Sequence, residues 1–106
     1  MEHFILLELI AYRDFHEKNF SITYWRTSQG LEVDFILGDG EVAIEVKISD
    51  RLRSKDLNGI KAFCEEHKPR KAFVVSLIDR AMRITDEIST LPYERFLEDL
   101  WAGKVI

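Results

Sequence analysis

The stretch that decides the fold reads Glu32-Val33-Asp34-Phe35-Ile36-Leu37, then Gly38-Asp39-Gly40-Glu41, then Val42-Ala43-Ile44-Glu45-Val46-Lys47. Two runs of β-prone residues flank a turn rich in residues that tolerate positive φ, which predicts two antiparallel strands joined by a hairpin. Strict alternation puts Val33, Phe35 and Leu37 on one face with Val42, Ile44, Val46 and Ile48, turned toward a core. The opposite face carries Glu32, Asp34, Ala43, Glu45 and Lys47. Keeping the apolar sets together requires a loop of even length, and either a two- or a four-residue loop pairs Leu37 with Val42. That register sets Asp34 across from Glu45 and Glu32 across from Lys47.

Cross-strand Cβ atoms lie about 4.5 to 5.5 Å apart, and like charges placed there are destabilising. A divalent cation would relieve the Asp34–Glu45 pair, since carboxylate oxygens at that separation suit Mg²⁺ or Mn²⁺. The alternative is a solvated face on which Lys47 neutralises its neighbours, with a cross-strand ion pair to Glu32 worth ~0.2 to 1 kcal/mol.

At 106 residues with 46% hydrophobic content, the chain fits one globular domain, residues 1–106, with no internal repeat and no linker. The longest apolar run, Phe4 to Leu7, is interrupted by Glu8, so neither a membrane span nor a signal peptide with a basic leader is expected. A single cysteine, Cys64, excludes an internal disulfide and fits a reducing, cytoplasmic setting. It falls on the apolar side of a predicted helix, as a buried structural thiol does.

The net charge is −4, but its distribution is uneven. Eight basic residues against four acids lie between Lys47 and Lys71, a local excess of +4 that leaves −8 on the remainder. This zone, with Arg51, Arg53 and Lys55 next to Lys47, could follow a phosphate backbone; a solvated helix surface is the plainer explanation. Arg26 and Trp25 offer a phosphate contact and a stacking surface, though a tryptophan at a strand end more often caps the core.

Residues 2 to about 16 read as a helix buried on several sides, carrying Glu2 and Glu8. Six positions apart, those acids project about 240° from one another, so one site would not use both directly. Ile22 to Arg26 reads as a first strand and Thr27-Ser28-Gln29-Gly30 as the turn into the hairpin. After a polar connection, Ser54 is a candidate N-cap for a helix to about Glu66, with Leu57, Ile60, Phe63 and Cys64 on one stripe. Ala72 to Leu77 is a strand covered on both faces, parallel to the strand of Glu45 through a right-handed crossover. A weak strand around Met82 to Ile88 and a helix from Leu91-Pro92-Tyr93 through Trp101 complete the chain.

Helix, three-strand meander, helix and strand, with Asp34 on the second strand and Glu45-Val46-Lys47 on the third, resembles the PD-(D/E)xK nuclease superfamily. Restriction endonucleases and archaeal Holliday-junction resolvases share that core. Glu2-His3-Phe4 through Glu8-Leu9, Tyr24-Trp25-Arg26-Thr27, Glu32-Val33-Asp34-Phe35, Ile44-Glu45-Val46-Lys47, Leu91-Pro92 and Phe96-Leu97 look like the C-terminal nuclease-like domain of many prokaryotic AAA-type ATPases. This likeness covers nearly the whole chain.

The resemblance implies an α/β, restriction-endonuclease-like core with a mixed central sheet flanked by helices. It also implies that Asp34 and Glu45 bind Mg²⁺ or Mn²⁺ and that Lys47 is the lysine of the motif. The acid on the first helix is matched by Glu2, with Glu8 as runner-up. DNA is the implied substrate and an AAA-type ATPase the implied partner. The chain departs from the pattern at its start, where Met1 directly precedes Glu2, and it has no Walker-type loop. The expectation is therefore that it is not an ATPase by itself, but either an excised or truncated C-terminal domain or a small gene that stands alone.

No His-x-x-x-His or Cys–His spacing supports zinc, and Ser76 and Cys64 lack a nucleophile-elbow context. Three functions fit the sequence: a Mg²⁺-dependent nuclease domain, a non-catalytic module of the same fold that binds DNA or a protein partner, or a mainly structural domain whose charged zones serve oligomer contacts.

Overall fold

Apolar side chains at helical spacing form α1 (Glu2–Phe15), which buries Ile5, Leu9 and Tyr12. The fold is described by a computed structural model that covers residues 1–106. A meander follows, of β1 (Ile22–Arg26), β2 (Glu32–Leu37) and β3 (Val42–Val46). A 3₁₀ turn (Ser54–Leu57) leads into α2 (Asn58–His67), and then come β4 (Lys71–Ser76), β5 (Met82–Arg83), β6 (Ile88–Pro92) and α3 (Tyr93–Trp101).

The strands make one mixed sheet in the order β1-β2-β3-β4-β6-β5. β1, β2 and β3 are antiparallel neighbours, whereas β3–β4 and β4–β6 are parallel. The loop Gly38–Glu41 has four residues, with Gly38 and Gly40 at φ +68° and +71°, and it pairs Leu37 with Val42 as the alternation predicts.

Helices cover both faces of the sheet, and so there are two cores. Phe35, Leu37, Val42, Ile44 and Val75 pack with Ile5 and Leu9 of α1 and Phe96 and Leu100 of α3. Val33, Ile36, Ala43, Ala72 and Val74 pack on the other side with Ile60, Phe63 and Cys64 of α2. The expected division into one apolar and one polar face is thereby corrected. Val33 belongs to the second core, and Ile48, expected inside, is 73% exposed because β3 has ended at Val46.

Helix α2 approaches the sheet at Gly59, where an added Cβ would lie 2.4 Å from the backbone oxygen of Glu32. Ser54 does not cap one continuous helix. Asp56 Oδ2 accepts the Arg53 N–H at 2.9 Å and closes the 3₁₀ turn before α2 begins. The helix ends where Lys68 adopts a left-handed φ of 49°, followed by Pro69.

The C-terminal part differs most from expectation. The expected strand from Met82 to Ile88 is only the two-residue β5, and the strand that completes the sheet is β6, into which Leu91 and Pro92 fall. Ile88 and Leu91 of β6 point into opposite cores, and α3 starts one residue later at Tyr93.

Candidate functional site

The site begins with an irregularity in β2. Thr23 pairs with Ile36 and Trp25 with Val33, so Tyr24 alone faces both Asp34 and Phe35. Such a bulge re-aims side chains and breaks the period of two. It accounts for Val33 and Ile36 sharing one core, and it frees Asp34 from strict alternation. The Asp34 carboxyl makes hydrogen-bond contact with Glu2 at the start of α1 and with Glu45 on β3.

The β2–β3 ladder runs from Leu37–Val42 to Phe35–Ile44 and stops there. The expected backbone pairing of Asp34 with Glu45 is absent, because Asp34 Oδ2 itself takes the Val46 N–H at 2.7 Å. The strands open at this point and a carboxylate occupies the opening. Asp34 and Glu45 nevertheless meet through their side chains, as the register implied.

Burial raises the Asp34 carboxyl to about 6, aided by the hydrogen bond that its protonated form donates to Glu45, while the bonds that it accepts from Glu2 and from the Val46 amide pull the other way. Glu2 is also raised, first through its hydrogen bond with Asp34 and then by desolvation and the Asp34 charge. Two carboxyl groups in contact hold a proton more tightly because they cannot both ionise without repulsion. The cluster is thus a place of excess negative charge.

Lys47 is the nearby cation. Its Nζ lies 3.7 Å from Glu45 Oε2, and the Glu45 side chain is only 5% exposed. The alternative partner, Glu32, pairs instead with Arg26 at 3.3 Å across β1 and β2. The Arg26 guanidinium also lies 5.2 Å from the Tyr24 ring centre. Glu2, Tyr24, Arg26, Glu32, Val33 and Asp34 line a small cleft of about 180 Å³. Tyr24 and the Val46 amide were not signalled by the sequence, since their roles follow from the bulge and the opened ladder.

On the other side, Lys47, Arg51, Arg53 and Lys55 line a cleft of about 590 Å³ together with Asp50 and Asp56. The rest of the basic run lies elsewhere. Lys71 pairs in register with Val42, at the end of β3 remote from Lys47, where Arg70 approaches Glu41 at 3.8 Å and Lys71 Nζ bonds the Lys104 carbonyl. The expected continuous basic zone is therefore divided between the two ends of the sheet.

Glu8, the alternative helix acid, accepts a hydrogen bond from Trp101 Nε1 at 3.1 Å on α3. Trp25 packs edge-on against Phe63, with ring centres 5.4 Å apart, and so caps the second core. Burial, aided by the Glu87 charge, lifts the Cys64 thiol to about 11, which suits a structural role and not a nucleophile.

The donors gathered here are carboxylate oxygens, which favour a hard cation. Glu2, Asp34 and Glu45 are linked in series through Asp34, and no group of three His, Cys, Asp or Glu side chains is arranged around one point to hold a metal ion. A cation here would have at most a pair of acids from the protein. That fits Mg²⁺, which commonly takes one or two carboxylates and keeps several waters.

A family model described as "Domain of unknown function (DUF4143)" matches residues 1–96. No curated protein sequence and no solved structure matches the chain.

Proposed function

The chain belongs to the DUF4143 family, a domain of unknown function, and from the geometry of its own residues we propose that it is a Mg²⁺-dependent nuclease domain with a restriction-endonuclease-like core. One observation carries this reading. The buried Glu45 touches both Asp34, in the opening between β2 and β3, and Lys47, the arrangement expected of an Asp and a Glu-x-Lys pair.

Asp34 and Glu45 are the proposed donors to Mg²⁺ or Mn²⁺, and Glu2 supports Asp34 from α1. When bound, the cation supplies Lewis-acid polarisation and lowers the pKa of water. Lys47 Nζ carries three donors and no acceptor, and it would hold the attacking water or a non-bridging phosphoryl oxygen. Donors aimed at charge that develops in the transition state usually supply a large part of catalysis. The basic cleft that starts at Lys47 gives a polyanionic strand a path to the acids. An AAA-type ATPase as the partner of the domain rests on the family resemblance of the sequence.

A second reading, a non-catalytic module that binds DNA or a protein partner, is favoured by the net charge of −4, which weakens attraction of a polyanion. Metal titration and plasmid nicking separate the two. Mn²⁺ should raise the melting temperature of the wild type and leave Asp34→Ala unchanged. Supercoiled plasmid should be nicked in Mg²⁺, and Glu45→Ala and Lys47→Ala should each lower the rate about a hundredfold or more. Equal metal responses in wild type and Asp34→Ala would remove the proposed site. DNA binding without nicking, and insensitive to Lys47→Ala, would establish the second reading.

A further inference from the structure

The basic cleft has a neighbour of opposite character. A cavity of about 410 Å³ is lined by Leu52, Leu57, Ile78, Met82 and Ile84, with Arg53 and Arg80 among its few polar walls and no acid. Arg53 lines both spaces. On one side of it Lys47, Arg51 and Lys55 outnumber Asp50 and Asp56, and on the other the walls are aliphatic. The cavity size is that of small-molecule sites, which are mostly apolar with a few convergent polar groups.

A ligand that fills both spaces needs an anionic part and, next to it, a flat or apolar part. A nucleotide within a strand has that form, with its phosphate on one side of the sugar and its base on the other. We infer that Arg53 divides a nucleotide subsite, in which the basic cleft takes the phosphate and the aliphatic cavity takes an unpaired base of the same strand. This rests on the proposed action on nucleic acid and narrows the substrate class to strands that are single-stranded or frayed at that position.

Arg53 and Arg80 line the cavity, and planar guanidinium cations of this kind stack on π-faces, which would favour a base over an aliphatic group. A paired base keeps both faces stacked within the duplex and cannot enter. The subsite also adjoins the carboxylates through Lys47, whose Nζ faces Glu45. Leu57 and Thr90 form a buried floor, whereas Met82 is 62% exposed, so the cavity is open to solvent beside Met82.

The test is fluorescence anisotropy in metal-free buffer with three probes: a labelled single-stranded oligonucleotide, the same backbone with abasic residues throughout, and a blunt duplex. Wild type should bind the single strand about fivefold or more tighter than either of the other two, the scale of one held base. Met82→Trp fills the cavity without changing charge and should lose that preference while its affinity for the duplex is kept. Arg53→Ala should weaken all three. Equal binding of the three probes by the wild type overturns the inference, whatever the variants do. So does a Met82→Trp protein that behaves as the wild type, or binding of dodecyl phosphate without binding of any oligonucleotide.

The outcomes also separate this subsite from the nuclease reading. Lys47-dependent nicking without base preference removes the subsite alone. Base preference without nicking removes the hydrolytic reading alone.

Discussion

Strand β3 has two ends that obey different rules. At Val42 and Ile44 the ladder to β2 is closed, and both residues are fully buried against α1 and α3. At Glu45 and Val46 the ladder is open, and the half-buried Asp34 carboxylate stands where a cross-strand backbone partner would be. The first end is held by apolar burial and regular hydrogen bonds, which reinforce one another. The second places two acids in contact in a partly desolvated setting, which by itself opposes folding. Natural proteins often break local consistency at functional sites, and the contrast along one strand is what makes the open end the candidate.

The comparison can be broken most strongly at the closed end. Ile44→Ala should destabilise by ~2 to 5 kcal/mol, the range for deleting buried methylene groups, as read from urea denaturation. A loss far below that would mean that the Ile44 core is not what holds β3. Gly59→Ala is next. Its Cβ would meet the Glu32 backbone oxygen at 2.4 Å, so α2 or β2 must shift. A cost of about 1 to 3 kcal/mol is expected, as for other overpacking changes. An unchanged melting temperature would show that the two elements sit farther apart than described.

Much of the fold was legible. The helical spacing of α1, the short runs of β1 to β4 and the Leu37–Val42 register all appear where the pattern puts them. The bulge was not, because alternation assumes a constant period and one extra residue reverses its phase. A hint existed in the unbroken apolar run Phe35-Ile36-Leu37, which does not suit a strand with one wet face. The β6 strand was hidden for a similar reason, since Ile88-Ser89-Thr90-Leu91-Pro92 is buried on both sides yet half polar, with Thr90 Oγ1 bonding the Met82 carbonyl at 3.4 Å. Within the site, the nearness of Asp34 and Glu45 followed from register. Helix geometry already set Glu2 and Glu8 apart, whereas the partner of Glu8, Trp101, lies 93 residues along the chain and was not legible.

Titration sharpens the contrast at the open end. Asp34 binds its proton more tightly in the folded protein, at about 6 against an ordinary 3.8. Its contribution to stability is therefore fully present below pH ~4 and is lost as the pH rises through ~6. Asp34→Asn removes this dependence while its amide oxygen can still accept from the Val46 amide. Denaturation at pH 4.5 and 7.5 should show the variant gaining stability relative to the wild type at the higher pH. Identical pH dependence in the two proteins would mean that Asp34 is solvated and that the opening between β2 and β3 does not bury it.

The smallest expected change in stability accompanies the largest expected change in function. Lys47 is half-buried and its pair with Glu45 is a single contact at 3.7 Å, so Lys47→Ala should cost no more than about 1 kcal/mol, as partly exposed ion pairs do. Part of that cost is the Glu45 carboxylate left buried beside Asp34 without a cation. In a Glu45→Gln background that part vanishes, so a double-mutant cycle should give a coupling energy of up to about 1 kcal/mol. Zero coupling would make the Lys47–Glu45 contact incidental. If coupling is found and plasmid nicking falls about a hundredfold with the fold intact, the lysine stands in this position for chemistry and not for the stability of the sheet.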